Sequence, residues 1–224
     1  MEKRQKIMFI ICFGILCGSF SVTQWNQSRQ TMLPVEHKTI VLDAGHGGWD
    51  PGKTETGSAD EKEINLAIVQ YLREYLEMGG AQVVLTREED GALGESKRED
   101  MAKRQTIADG EGVDLLVSIH QNAFTSSVAK GTRVFYHKQS EAGKEAAQAI
   151  QEALTAEIEE SAKDAKENDS YYILRATKTA AVLVECGFLS NPAEAQLLNT
   201  EAYQKRIAWA IYCGIQNYFG NTQM

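Results

Sequence analysis

Three apolar, β-rich runs in this 224-residue chain each lead to a side chain able to bind a metal or carry a proton. Ile40-Val41-Leu42-Asp43 runs into Gly45-His46-Gly47-Gly48, Leu115-Leu116-Val117-Ser118-Ile119 ends on His120, and Ala181-Val182-Leu183-Val184 ends on Glu185. Ligand sites of α/β sheets gather at the carboxyl ends of strands, so these groups are expected to converge although they lie far apart in sequence. Glu61 opens a helical stretch directly after the glycine-rich loop and is placed to fold back over the same edge. Two imidazoles, one carboxylate and an open position make a catalytic zinc site. The remaining carboxylate then has the role of proton carrier.

Each piece has a plainer reading when taken alone. Gly45 to Gly48 would be a turn with an incidental histidine, because glycine loops mostly serve turn geometry. A histidine at a strand end is as often a satisfied polar group as a ligand, and Glu61, like Asp60 and Glu63, would complement a helix dipole. Glu185 resists this treatment: a carboxylate directly after four apolar strand residues is costly to bury without a partner or a task. His37 and His137 repeat no strand-end placement and are read as surface residues.

The elements that must position these groups alternate along the chain. Strands are expected at Thr39 to Leu42, Gln82 to Thr86, Asp114 to Ile119, Gly131 to Tyr136 and Ala181 to Val184. Between them lie helical periods at Glu61 to Met78, stopped by Gly79-Gly80, at Ser96 to Ala108 with the capping-box spacing of Ser96 and Glu99, and at Glu141 to Glu160. Ala193 to Leu198 and Glu201 to Tyr218 complete the set, and the charged, alanine-rich stretch from Leu154 to Ser170 reads as a solvated helix end and loop. The pattern predicts an α/β fold: a single three-layer domain with a largely parallel or mixed central sheet flanked by helices.

The N-terminus is basic, Met-Glu-Lys-Arg-Gln-Lys, and is followed by an apolar run from Ile7 to Val22 and by Trp25. That is an export segment, either a cleaved signal peptide or an uncleaved membrane anchor. Sixteen apolar residues fall short of the about 20 that span a bilayer, and the small-residue cleavage sites are poor. Neither Cys12 nor Cys17 is preceded by a small residue, which sets lipidation aside. The expected organisation is 1–29 targeting segment, 30–37 linker and 38–220 catalytic domain. The domain is expected outside the cytoplasm, at the outer face of the membrane, in the wall or in the spore intermembrane space.

Residues 30–224 carry 19 basic and 30 acidic side chains, a net of −11, which argues against nucleic acid as a partner. Recognition is expected through short-range hydrogen bonds and metal coordination. Outside the leader only Cys186 and Cys213 remain, too few for a disulfide framework and without metal-like spacing, and they read as buried thiols.

Four blocks in order, Ile40 to Gly48, Glu61-Lys62-Glu63-Ile64-Asn65-Leu66, Ser118-Ile119-His120-Gln121-Asn122-Ala123 and Leu183 to Asn191, resemble the zinc N-acetylmuramoyl-L-alanine amidases of the amidase_3 type. The likeness runs from about Lys38 to Phe219. It implies one Zn2+ per chain held by His46, Glu61 and His120, with Glu185 as catalytic acid and base, acting on the amide between the lactyl group of muramic acid and L-alanine. Glu63 competes for the ligand role, but the family's ligand stands four residues before the Asn of its Asn-Leu pair, which is Glu61. Arg87 and Arg104 fall where the family carries arginines and are read as structural. Ala44 and Ala180 stand where the family often has Pro, which touches loop rigidity and not the chemistry. Arg175 and Asn122 are candidate substrate contacts, Arg175 for a stem-peptide carboxylate. The stretch Ser96 to Arg104, the export segment and the lack of wall-binding repeats most resemble the germination-specific, spore-cortex branch of the family. That branch implies muramic-δ-lactam formation, with a lipoprotein activator or a cortex deacetylase as a possible partner. Two other readings stay open: a non-catalytic zinc- or peptidoglycan-binding module, and a metal-dependent peptidase acting on the stem.

Overall fold

Alternate residues of the central strands belong to different cores. Ile40, Leu42, Leu115, Val117, Ile119, Val182 and Val184 join one apolar cluster, whereas Val41, Leu116 and Leu183 join another. A side-chain period of two therefore gives a sheet buried on both faces. The computed structural model describes residues 33–55, 57–158 and 164–222. The apolar run from Ile7 to Val22, with the export reading attached to it, lies outside the described residues. Among those described, no helix is long and apolar enough to cross a membrane.

Six strands, β1 (Thr39–Ala44), β2 (Gln82–Leu85), β3 (Leu115–Asn122), β4 (Arg133–Tyr136), β5 (Lys166–Glu167) and β6 (Ala181–Phe188), form one sheet in the order β2-β1-β3-β6-β4-β5. All neighbours are parallel except β4 and β6, so the sheet is mixed, as expected. The helices are α1 (Glu61–Met78), α2 (Lys97–Ala108), α3 (Glu141–Glu157), α4 (Tyr172–Ala176), α5 (Pro192–Leu198) and α6 (Glu201–Asn221). Helices α1, α3 and α6 supply Ile64, Ile68, Leu72, Ala147, Ile150, Ile211 and Ile215 to the larger core. Helices α2 and α4 cover the other face with much less, Ala108, Ile173 and Leu174.

Hydrogen bonds close the starts of the first two helices. Glu63 accepts from the Asp60 backbone N–H at 3.0 Å and closes the start of α1. Ser96 Oγ accepts from Glu99 N at 3.3 Å, but the Glu99 carboxylate reaches Glu95 N instead of completing the box at Ser96. Helix α3 stops at Glu157 and not at Glu160, because Ile158 turns to an extended backbone and buries its side chain in the larger core. The stretch read as loop after it contains β5, whose two residues are too short for any period to reveal. Helix α4 was likewise not expected. Val35, inside the expected linker, is fully buried, so the packed unit begins at Leu33. His137 is no free surface residue: its side chain is only 17% exposed and faces Asp169 at 3.5 Å. Cys186 is a buried free thiol and Cys213 a half-buried one.

Beneath the ends of β1 and β3 lies a buried polar network. Asp43 accepts from Thr86 Oγ1 (2.8 Å), Ser118 Oγ (2.6 Å) and Arg104 Nη1 (2.6 Å), and Arg104 Nε donates to Asp100 at 2.6 Å. Burial pushes the Asp43 carboxyl up, and the Arg104 guanidinium and Ser118 hydroxyl outweigh it and hold it below its ordinary value of 3.8. Removing one member of such a set strands the others. Arg104→Met is expected to lower the unfolding free energy by about 3–5 kcal/mol in urea titrations. Because the folded-state pKa of Asp43 is depressed, its contribution is complete above pH 3.8 and is lost as pH falls towards the folded value. Asp43→Asn is therefore expected to flatten the acid limb of the stability profile, measured as Tm between pH 5 and pH 2.

Candidate metal centre and its acid–base group

Strand β1 leaves the sheet at Ala44, and the next two residues shape the site. A Cβ on Gly45 would lie 2.2 Å from His120 Cε1, so only glycine lets the turn pass under that ring. His46 follows with φ of 65°, the left-handed region that a side chain enters at a cost of order 1–3 kcal/mol. The backbone is held there by force of hydrogen bonds. Arg87 donates to Ala44 O (2.9 Å) and Gly45 O (3.2 Å), Asn65 Nδ2 to Gly45 O (3.1 Å), and Arg104 to Ala44 O (2.8 Å) and His46 O (2.6 Å). Arg87 and Arg104 are thus structural, as read, but their carbonyl contacts also aim His46.

His46, Glu61 and His120 come together, each offering one ligand atom with all three atoms within 4.8 Å of one another. Glu61 Oε1 stands 3.2 Å from His46 Nε2 and 3.1 Å from His120 Nδ1. Neighbouring ligands of a tetrahedral ion with bonds near 2.0–2.1 Å are separated by about 3.3 Å, so the spacing suits such an ion. The second oxygen of Glu61 accepts from Lys53 N at 2.8 Å, and Oε1, which faces the histidines, also accepts from Gln121 N at 3.0 Å, so the carboxylate plane is fixed from both ends. Burial pushes the Glu61 carboxyl up, yet the hydrogen bonds of His120 and His46 hold it well below the usual carboxylate range. Burial pulls His120 down, and Glu61 more than reverses this. The centre favours positive charge, the electrostatic condition a cation meets.

A carboxylate also backs His46. Asp50 Oδ2 lies 2.9 Å from its Nδ1, an ion-pair contact off the line of a hydrogen bond. Burial raises the Asp50 carboxyl, and Lys97 and His46 beside it bring it down to about 2, so it is ionised at neutral pH. Glu63, the competing carboxylate, is occupied with the α1 cap.

Glu185 sits beside His120 in register across β3 and β6, and the ladder shifts between His120 and Asn122 just beyond it. Its side chain is 6% exposed. Tyr171 donates its hydroxyl to Glu185 Oε1 at 3.1 Å, while Oε2 has no hydrogen-bond partner among the described residues. Burial raises the Glu185 carboxyl, helped by Glu61 and opposed by His120 and Tyr171, and the net direction is up. A carboxylate with one oxygen tied, the other free and its pKa raised by burial is fitted to take and return a proton. Tyr171 was missed because nothing in its spacing marks it. It reaches the site through an Asn168 side chain that caps the turn at Ser170 and Tyr171, and through edge-on packing against Phe135.

The two candidate substrate contacts lie on α4 and at the end of β3. Arg175 is exposed on α4, donating to Asp169 O at 3.2 Å, and does not line the cavity that touches His120. Asn122 lines a neighbouring cavity with Thr132 and Phe188.

The profile of the N-acetylmuramoyl-L-alanine amidase family, Amidase_3, matches residues 40–217. The chain is 35% identical over 230 residues to the germination-specific N-acetylmuramoyl-L-alanine amidase of Bacillus subtilis (strain 168), an alignment covering 98% of this chain and 97% of that one. It is similar in structure to the CwlD amidase of Clostridioides difficile, solved in complex with the GerS lipoprotein, at 42% identity and a TM-score of 0.79 over 83% of this chain and 100% of that one. The catalytic domain of CwlV, from Bacillus (Paenibacillus) polymyxa var. colistinus, gives 31% identity and a TM-score of 0.74 over 82% and 98%.

If the three converging groups bind the ion, single alanine substitutions at His46, Glu61 and His120 are expected to abolish retention of one metal equivalent after dialysis, measured by plasma emission. Glu63→Ala is expected to retain it and lose only helix stability. The reverse outcome for the two glutamates would reassign the ligand.

Proposed function

The chain belongs to the N-acetylmuramoyl-L-alanine amidase family, peptidoglycan hydrolases that act on the lactyl–L-alanine amide, and we propose that it does so with one zinc ion, on spore cortex, ahead of muramic-δ-lactam formation. The observation that carries the reading is the pairing of a His46–Glu61–His120 cluster with a buried, half-satisfied Glu185 one strand away. His46, Glu61 and His120 would hold the zinc, which supplies Lewis acidity to the amide carbonyl and acidifies a water.

The chain's own residues do the rest. Glu185 Oε2 accepts the proton of the attacking water and returns it to the departing L-alanine nitrogen, leaving a lactyl carboxylate and a free amine. Tyr171 holds Oε1, so the carboxylate does not rotate between the two transfers. Asp50 steadies the imidazole of His46.

The cortex assignment draws support from the germination-specific relative, aligned over nearly the whole of both chains. The export segment read at the N-terminus would deliver the domain to the outer face of the cytoplasmic membrane or to the spore intermembrane space. Since the CwlD amidase is in complex with the GerS lipoprotein, a lipoprotein is the partner we propose here as well.

Mass spectrometry of digested cortex peptidoglycan tests the activity. Peptide-free muramic acid is the expected product; shortened stems would mean a peptidase and unchanged glycopeptides a binding module. Glu185→Gln is expected to keep fold and metal while losing about 10²-fold or more in kcat, because the amide cannot carry the proton. Tyr171→Phe is expected to lose about tenfold in kcat at unchanged metal content, the scale of one hydrogen bond to a charged group. Full activity in Glu185→Gln would remove the acid–base role.

A further inference from the structure

At the end of α1 farthest from the metal centre, a group of aromatic rings lies partly open to solvent. Tyr75 of α1 packs edge-on against Trp209 of α6 with ring centroids 5.5 Å apart, and Tyr212 lies 5.3 Å from Trp209. Trp209 is 44% exposed, and Met78, three residues beyond Tyr75, is 83% exposed. The chain enters the packed unit at the same place. A Cβ on Gly79 would lie 2.9 Å from Val35 Cγ2 and 3.1 Å from Tyr212 Oη. Val35 N donates to Gln216 Oε1 at 3.3 Å, and Gln216 Nε2 donates to Tyr212 Oη at 2.6 Å. Leu33, two residues before Val35, is a further exposed apolar side chain.

We propose that this face, formed by Leu33, Tyr75, Met78, Trp209 and Tyr212, rests on the headgroup layer of a lipid bilayer and turns the metal centre away from the membrane. The proposal rests on the uncleaved-anchor form of the export segment and is independent of the amidase reading. Ten residues separate Val22, the last of the apolar run, from Leu33. A tether of that length spans at most about 36 Å, so a bilayer that holds the run is present at high effective concentration for the surface around Leu33. Trp and Tyr favour a headgroup layer, which accommodates an apolar ring body and a polar edge together. Both cations on these turns are already paired, Arg73 with Glu77 and Lys205 with Glu201, and Glu74 is exposed beside them. The attraction is therefore that of rings and apolar side chains and needs no anionic lipid.

Helix α1 fixes what such docking does to the site. It begins at Glu61, a member of the metal centre, and ends at Met78 in the face. Its 18 residues rise about 27 Å. Strand β1 repeats the arrangement, starting at Thr39 a few residues after Val35 and ending at Ala44, directly before the turn that carries His46. Face and centre thus lie at opposite ends of the same two elements. A domain turning freely on its tether would point the centre at lipid in many of its orientations. Docking removes those orientations and leaves the centre open to polymer beyond the membrane surface.

The test reconstitutes the full chain in phosphatidylcholine vesicles, with ordinary or brominated acyl chains, and reads tryptophan emission. The chain has three tryptophans, Trp25, Trp49 and Trp209, and phenylalanine at two of them isolates the third. With Trp25→Phe and Trp49→Phe, the emission of Trp209 is expected to fall about twofold in brominated vesicles, as for a ring at the headgroup level. Trp49 alone, in the loop that follows His46, is expected to be unchanged. High salt is expected to leave the quenching of Trp209 as it was, since no charge pair carries it. Leu33→Glu with Met78→Glu, both at exposed side chains, is expected to restore the emission of Trp209 at unchanged metal content. Quenching of Trp25 without quenching of Trp209 would overturn the docking, leave the anchor reading standing and give the face to a protein partner. Equal quenching of Trp49 and Trp209 would also overturn it, because the domain would then have no preferred face. Failure of the chain to float with the vesicles would overturn the anchor reading, and the docking with it.

Discussion

Arg104 lies between the carboxylates of Asp43 and Asp100, 2% exposed, and spends its remaining donors on the carbonyls of Ala44 and His46. Arg87 takes the carbonyls of Ala44, Gly45 and Lys62 from the other side. A turn that leaves the sheet between strands has carbonyls without ladder partners, and buried carbonyls must be satisfied. Two guanidiniums meet that need with rigid, planar donors, and in doing so they set the direction of the His46 side chain and bind the start of α1 to the end of β1. Replacing either by lysine would keep the charge and lose the geometry, because the donors of an ammonium radiate from one nitrogen and cannot span partners that a guanidinium reaches from several. The left-handed backbone of His46 is tolerated because its surroundings over-determine it.

Strand parity decides where the chemistry sits. On β1, β3 and β6 the residues facing the thickly covered side are apolar as far as Gln121, near the end of β3, which pairs with Asn65 of α1. The other parity carries Asp43, Ser118, His120 and Glu185 on the side covered by α2 and the single turn and a half of α4. Parallel strands place register partners on the same face, so His120 and Glu185 are neighbours by construction. The thin layer leaves room for a substrate at the carboxyl edge. The thick layer, with α1, α3 and α6, supplies most of the buried apolar surface and so most of the stability.

Most of this was legible in the sequence because it rests on patterns the chain repeats. Apolar runs ending on His120 and Glu185 announced strand ends, and the helical period after the glycine-rich loop announced where Glu61 would fall. Other parts depend on contacts that no period encodes. Tyr171 finds Glu185 only after β6, Phe135 and the Asn168 turn are assembled. Helix α4 has five residues, shorter than two helical repeats, and β5 has two. The end of α3 was set by tertiary packing of Ile158, which local propensity cannot see.

The acidic balance of the domain is at odds with a polyanionic wall substrate only if charge is averaged over the whole surface. Around the centre the acids are answered locally: Asp50 by Lys97, Asp90 by Lys62, and Asp43 and Asp100 by Arg104. Beyond about 8 Å at physiological salt the remaining charges are screened. What the substrate meets at the cleft is therefore this local set of paired charges. Long-range repulsion then acts on the rate of encounter and not on recognition. Contacts made within a few ångströms of the amide decide which polymer is held, and by which arm.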